Sequence, residues 1–533
     1  MQYGKVWLSS LPGASRCNRY TPFIMWRDYS IVRGYASLVC PKGLTMRVLF
    51  VYSLDDTQSV SKPLWSWSCI QFGISYISSV LQTEGHVTRL VVLGSNNEYQ
   101  KSIKITNTIM SEFTPQVVCF TAVASQYQFI NKIASAIKSR WPEAFMVIGG
   151  VHATLNPADV MNDSFDAVCI GEGEYPTLEL CRQLEAGITP HGIANLWIRS
   201  PEGEIEKNST RPFINDIDDL PFPDRAMWAP WVKEQRGAEL SVLLGRGCPY
   251  NCTYCCNHAL KQSASGKYVR FRSPENIIQE ISFLHKAFPT QTRIFFQVES
   301  IALNKAWLLN LCEQLVAYNT TIDGFISYDC SFRISPQSVD EGVFVALRKA
   351  NIHKINIGLE SGSERVRRDI LHRDYSNIEF LDATAMARKA GLGIYVFNMI
   401  GLPGETYSDH METVSLNRQC QPDGHYTGIF YPYPGTDLYD LCIREGYISK
   451  YVDNRLERRQ PVISFPQFTK RQIQEAYAWF NYRVYRGYKP LWWILVQTLR
   501  TRIRSSISLN ILFRRILQWP ALDYLREKLI GQK

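Results

Sequence analysis

No run of eighteen consecutive apolar residues occurs in this 533-residue chain, so no bilayer-crossing helix is expected. The opening segment also lacks the continuous apolar core of a secretory signal. The 14 cysteines do not form a disulfide framework, because they are scattered and gather only between 248 and 256. A reducing, cytoplasmic setting fits that usage. No Gly-x-Gly-x-x-Gly opens the N-terminal half, which argues against a dinucleotide there. No recognised nucleic-acid module accompanies the net charge of +9, so no nucleic-acid partner is expected. What is present is the composition of a globular protein, 45% hydrophobic and 20% charged. The length suits roughly two to four domains.

Residues 1–45 are basic (Lys5, Arg16, Arg19, Arg27, Arg33 and Lys42 against Asp28) and read as a poorly ordered extension, with Met46 as an alternative start. An organellar transit peptide shares that composition. From Met46 apolar runs alternate with helical periodicity up to about residue 195. Strands are expected near 48–53, 87–92, 117–121, 145–148 and 167–170, with helices between them. That alternation predicts a doubly wound, Rossmann-like α/β domain with a parallel sheet covered on both faces. Ligands of such sheets sit over the carboxyl ends of the strands. The loops expected there are small or polar: Ser53-Leu54-Asp55-Asp56, Thr121 to Ser125, Gly149-Gly150-Val151-His152 and Gly171-Glu172-Gly173-Glu174. The proline-punctuated, acidic stretch 196–238 reads as an extended linker. Residues 239–440 hold about six strand–helix units, which predicts a partial (β/α)6 barrel of TIM type with its site at the carboxyl ends of the strands.

The first barrel strand runs into Gly245-Arg246-Gly247-Cys248-Pro249-Tyr250-Asn251-Cys252-Thr253-Tyr254-Cys255-Cys256-Asn257. Three thiolates spaced Cys-x3-Cys-x2-Cys can hold three irons of a four-iron cluster and leave the fourth open to a small molecule. A zinc knuckle is the other arrangement these residues allow, with Cys256 or His258 as a fourth ligand. The spacing, with Tyr254 before the last cysteine, resembles the radical S-adenosylmethionine enzymes. The phrases Ile148-Gly149-Gly150-Val151-His152-Ala153-Thr154 and Ile170-Gly171-Glu172-Gly173-Glu174 resemble the cobalamin-binding domain that precedes many of them. Asp218-Asp219-Leu220-Pro221-Phe222-Pro223, Phe397 to Thr406 and Tyr431-Pro432-Tyr433-Pro434-Gly435-Thr436 also follow the family's order.

The resemblance implies three cofactors: a 4Fe-4S cluster on Cys248, Cys252 and Cys255, S-adenosylmethionine and cobalamin. It implies that Glu299 meets the amino group of S-adenosylmethionine, although Val298 stands where relatives often have an Asp. Arg333 would pair with the carboxylate of S-adenosylmethionine, Glu360 or Ser361 would hold the ribose, and Tyr254 would border the nucleoside. Thr121, Ser125, Gly149, Gly150, Gly171, Glu172 and Gly173 would line the cobalamin, with His152 a loop contact and not a cobalt ligand. The family's lower-ligand pattern Asp-x-His-x-x-Gly does occur, at Asp423 to Gly428, but far from the first strand, and it reads as coincidence. Cys256 is expected to be structural. The implied activity is methylation of an unactivated carbon through a 5'-deoxyadenosyl radical and methylcobalamin. The implied substrate is a small molecule, such as a lipid or natural-product intermediate, and the electron donor a flavodoxin or ferredoxin. Radical cyclisation or rearrangement without methyl transfer is the alternative, and a cobalamin or redox sensor is the non-enzymatic one.

Residues 441–533 are aromatic and basic, with acids after 480 only at 523 and 527. A helix over 469–485 is expected. The segment reads as a helical cap over the barrel, or as a peripheral membrane contact through 480–533 at the inner face of the membrane.

Overall fold

A computed structural model describes residues 45–54, 62–95, 99–233, 237–322, 324–335, 338–448, 457–506 and 509. The expectations for residues 1–44, for Asp55 and Asp56, and for most of the chain beyond 506 lie outside these. The described residues belong to one compact unit built on two sheets.

Strands β1 (Arg47–Leu54), β2 (Val87–Gly94), β3 (Val117–Thr121), β4 (Phe145–Gly149) and β5 (Ala167–Cys169) are parallel, in spatial order 2-1-3-4-5. Apart from the exposed start of β2 at Val87 to Arg89, they are almost wholly buried apolar runs, as a sheet covered on both faces requires. The covering helices are α1 (Phe72–Thr83), α2 (Tyr99–Phe113), α3 (Ala124–Arg140), the short α4 (Val151–Leu155) and α5 (Pro157–Val160), and α6 (Glu174–Glu185). The chain reverses direction across the sheet between β1 and β3, and at such a switch point the strand ends leave a crevice for a ligand.

The stretch read as a linker differs from that reading in two ways. It contributes an antiparallel hairpin, β6 (Leu196–Arg199) and β7 (Ile205–Lys207), that extends the first sheet beyond β5. Leu196 and Ile198 are buried on one face of it, a two-residue alternation too short to stand out against the polar turn that follows. From the remainder, Ile217, Trp228 and Val232 enter the core and are at most 1% exposed. Trp228 Nε1 donates to Ser75 Oγ of α1 at 2.8 Å, and Arg225 reaches the other way to Glu280 at 2.7 Å.

The second sheet is all parallel: β8 (Leu240–Leu243), β11 (Arg293–Gln297), β12 (Ser327–Phe332), β13 (Ile352–Glu360), β14 (Gly393–Ile400) and β15 (Gly424–Ile429), lying side by side in chain order. A short antiparallel ribbon, β9 (Gly245–Arg246) with β10 (Arg270–Phe271), leaves it after β8. Six parallel strands in sequence, with neither edge strand paired to the other, have the topology of an unclosed (β/α)6 barrel. Its helices are α7 (Asn257–Lys261), α8 (Pro274–Ala287), α9 (Lys305–Asn319), α10 (Glu341–Lys349), α11 (Asn377–Lys389), α12 (Tyr407–Cys420) and α13 (Asp437–Arg444). Ser273 and Thr406 cap α8 and α12 by accepting from the backbone N–H groups of Asn276 and Asp409. A π-helical turn follows β13 at Val366–Ile370, where buried Arg367 donates to Ser361 O at 2.7 Å. Strand β15 takes in the Asp-x-His-x-x-Gly pattern from its second residue, Gly424, onward. His425 stacks on Tyr485 with centroids 5.0 Å apart, remote in function from any cobalamin crevice.

Beyond the barrel, α14 (Lys470–Tyr485) opens with a capping box between Thr469 and Gln472 and buries Ile473, Phe480 and Val484 against β14, β15 and α12. Helix α15 (Leu491–Arg504) packs outside α14.

Candidate active site between the two sheets

A cavity of about 470 Å3 opens where the carboxyl ends of β1, β3, β4 and β5 face the start of the second sheet. From the first sheet come Phe50, Cys119, Thr121, Gly149, Gly150 and the Gly171–Gly173 turn. From the second come Gly247, Asn257, Tyr268, Arg270 and Glu299. Two glycines are required by this geometry. Gly150 has φ +90°, and a Cβ there would lie 2.6 Å from Thr121 Oγ1. Gly247 has φ +87°, and its Cβ would lie 2.2 Å from Tyr268 O. No histidine is among the described residues that line the space.

Not every expected contact lies in the cavity. His152 packs its ring on Tyr127 at 4.3 Å, and burial pushes its pKa down to about 4. Ser125 is buried in the first turn of α3 and does not line the cavity. Glu172 lines it, but its carboxylate is already engaged. Arg246 Nη1 donates to it at 2.8 Å, Arg270 Nη1 at 3.0 Å and the Ile214 N–H at 2.8 Å. Burial works against its ionisation, yet the two guanidiniums hold its pKa below the usual carboxylate value. Arg246 also donates to Glu174 at 2.6 Å and lies 5.1 Å over the Tyr76 ring. The residue just before Gly247 and Cys248 is thus clamped by the turn that ends β5 of the other sheet. Sequence reading missed this clasp. Its signal was a charge between two glycines at a strand end, which has no local partner and must find one across the fold.

The cysteines follow the ribbon. Cys252 is buried, while Cys248 and Cys255 are partly exposed. A hydrogen bond from the Cys256 thiol, acting against burial and aided by the N–H and Nδ2 of Asn257, brings the Cys255 thiol down to about 6. Burial pushes Cys248 up to about 11. His258 Nε2 is 2.9 Å from Asp437 Oδ1. Among the described residues no three His, Cys, Asp or Glu side chains converge as they would on a single metal ion. Arg333 Nη1 donates to Cys252 Sγ at 2.9 Å and the guanidinium lies 3.7 Å from the centroid of the Tyr250 ring, so this arginine is held at the cysteine loop.

Farther along the rim, the Tyr254 hydroxyl accepts from Arg373 Nη1 at 2.8 Å and donates to Glu360 Oε1 at 3.2 Å. Glu360 has φ +66°, a strained conformation for a non-glycine residue, at the bulge that ends β13. Burial raises its pKa, against the pull of Arg373. Arg373 was not foreseen, because it returns to this strand end from the loop after the π turn. Ser361 is fully buried, with its hydroxyl 3.4 Å from Thr413 Oγ1, and so is not open to a ligand. Glu299 is exposed, borders the cavity and makes no hydrogen bond or ion pair among the described residues.

Residues 68–181 match the B12 binding domain family model, and residues 242–416 match that of the radical SAM superfamily. An uncharacterised methyltransferase of Pyrococcus horikoshii is 27% identical over 445 residues, covering 82% of this chain and 93% of that one. The anaerobic magnesium-protoporphyrin IX monomethyl ester cyclase of Cereibacter sphaeroides is 23% identical, covering 69% of this chain and 59% of that one. Among solved structures, the cobalamin-dependent S-adenosylmethionine radical enzyme OxsB superposes with a TM-score of 0.65 at 14% identity, over 91% of this chain and 78% of that one. At that identity the likeness establishes the fold.

Proposed function

This chain belongs to the cobalamin-binding radical S-adenosylmethionine proteins, and we propose that it methylates an unactivated carbon of a small-molecule substrate. One observation carries the reading: a single cavity runs from the glycine turns of the B12-binding domain to Gly247 and Glu299 beside the cysteine loop. When bound, the cofactors supply a one-electron reductant, a carbon radical able to take hydrogen, and a transferable methyl group.

The residues divide as follows. Cys248, Cys252 and Cys255 hold the 4Fe-4S cluster. Cys256 and Asn257 donate to the Cys255 sulfur and keep it ready as a thiolate. Glu299, with no hydrogen bond or ion pair among the described residues, receives the ammonium of S-adenosylmethionine, and Arg333 at Cys252 receives its carboxylate, a charge-assisted pairing. The ribose falls to Glu360, oriented by Tyr254 and Arg373, since Ser361 is enclosed. Thr121, Gly149, Gly150, Gly171 and Gly173 bring backbone close to the corrin. Glu172 acts indirectly by fixing Arg246. We assign residues 46 to about 207 to cobalamin, 208–238 to a packed connector, 239–440 to the radical barrel and 441–533 to a C-terminal extension. The setting we infer is the cytoplasm, with a flavodoxin or ferredoxin as electron donor and peripheral contact at the inner membrane face.

The test is reconstitution with iron, sulfide and cobalamin, followed by product analysis with candidate substrates. Methyl transfer yields both 5'-deoxyadenosine and S-adenosylhomocysteine. Deoxyadenosine alone would favour radical cyclisation, the reading the cyclase relative supports. Neither product, with cobalamin retained, would overturn enzymatic function in favour of a sensor.

A further inference from the structure

Helix α15 is amphipathic in the inverted sense. Its inner side buries Ile494 and Thr498 against α14. Its outer side presents Leu491, Trp492, Leu495, Val496 and Leu499, with Trp492 68% and Leu499 59% exposed. At 100° per residue these five form one continuous stripe over the first three turns. Scattered exposed apolar residues are ordinary, but a contiguous stripe containing tryptophan marks a contact surface. With 14 residues the helix is too short to cross a membrane, and no described helix is long and apolar enough to do so.

The charges around the stripe identify its occupant. Arg483, Arg486 and Lys489 precede it, and Arg500, Arg502 and Arg504 follow, while the chain carries no acid between Glu475 and Asp523. A second copy docking by a twofold would bring cations against cations. An anionic bilayer surface satisfies both features, taking the apolar side chains into the acyl boundary and the cations among its headgroups. The support is rigid. Arg418 of α12 donates from Nη1 to the carbonyls of Arg483 and Arg486 at 3.0 and 2.9 Å, fixing the end of α14 just before α15 begins.

We propose that α15 is an interfacial helix that seats the protein on an anionic lipid surface through Trp492, Leu495, Val496 and Leu499. This deepens the peripheral contact included in the function proposed above. Its test is sedimentation of the full chain with vesicles of phosphatidylcholine alone or with about a third phosphatidylglycerol. Binding to the anionic vesicles is expected, weakened by salt. The double variant W492S/L499S should bind about tenfold less tightly. R500Q/R502Q should lose the preference for phosphatidylglycerol. Both variants alter the outer helix, so retained far-ultraviolet circular dichroism checks folding. Absence of binding, or equal binding by W492S/L499S, overturns the proposal. So does a dimer that this variant converts to a monomer, which would make the stripe a self-interface. Deoxyadenosine formation measured on the same samples keeps the two readings apart: no lipid binding by the unaltered chain with normal product overturns only this one.

Discussion

Cys256 follows three cysteines of identical chemistry, and its surroundings give it a different task. Its thiol donates to Cys255, and that hydrogen bond together with burial keeps its own proton in place, so it serves as a partner to a ligand. Cys252→Ala is therefore expected to abolish the broad absorbance near about 400 nm of the reconstituted cluster, and Cys256→Ala to retain it. The reverse pattern would overturn the ligand assignment. At this scale the sequence was legible where function sits in consecutive residues, as in Cys248 to Cys255. It was less legible where function depends on distant partners. Glu172 reads as a cofactor contact until Arg246 and Arg270, 74 and 98 positions away, are found on it. Ser361 looks equally available until Thr413 closes over it.

The β9–β10 ribbon is the element on which the site turns. It is four residues in two strands, too small to hold its own shape, and it is fixed by Gly247 on one side and by the Arg246 clasp on the other. Arg246→Met leaves buried Glu174 without its cation and Glu172 with Arg270 alone. A loss of about 3 kcal/mol is expected in urea unfolding. A loss below about 1 kcal/mol would show that the clasp is no stronger than a surface pair. The main strands were legible because parallel strands buried on both faces are plain apolar runs. The hairpin at 196–207 was not, because one buried face of two residues gives almost no periodic signal. The sixth barrel strand begins at Gly424, earlier than its apolar end suggests, because pairing with β14 extends it across polar His425 and Thr427.

Across the whole molecule, three buried histidines set the response to acid. Burial pushes His152 down to about 4, His425 to about 4 and His410 to about 3, the last with Arg483 beside it. The unfolded chain protonates these groups near pH 6.5 and the folded one does not, so stability falls as pH drops from 6.5 toward 4. Glu405 opposes them. Burial pushes it up to about 8, and it favours the folded state at lower pH across the same window. Glu239 and Glu360, also raised by burial, side with Glu405, and His86 and His353, also lowered by burial, side with the three; the large histidine shifts leave a net loss. The urea midpoint should fall between pH 7 and pH 5, and His410→Gln should reduce that fall; a flat profile would contradict it. The connector acts at this scale too. Trp228 lies at 0% exposure within an apolar core that runs unbroken from β1 to β14, while Arg225 and Arg272 enclose Glu280 at its far side. Neither half therefore owns a complete interior. Heat or denaturant must melt both together as one cooperative event, and a nascent chain released before the barrel is made would carry an open apolar face to the chaperones.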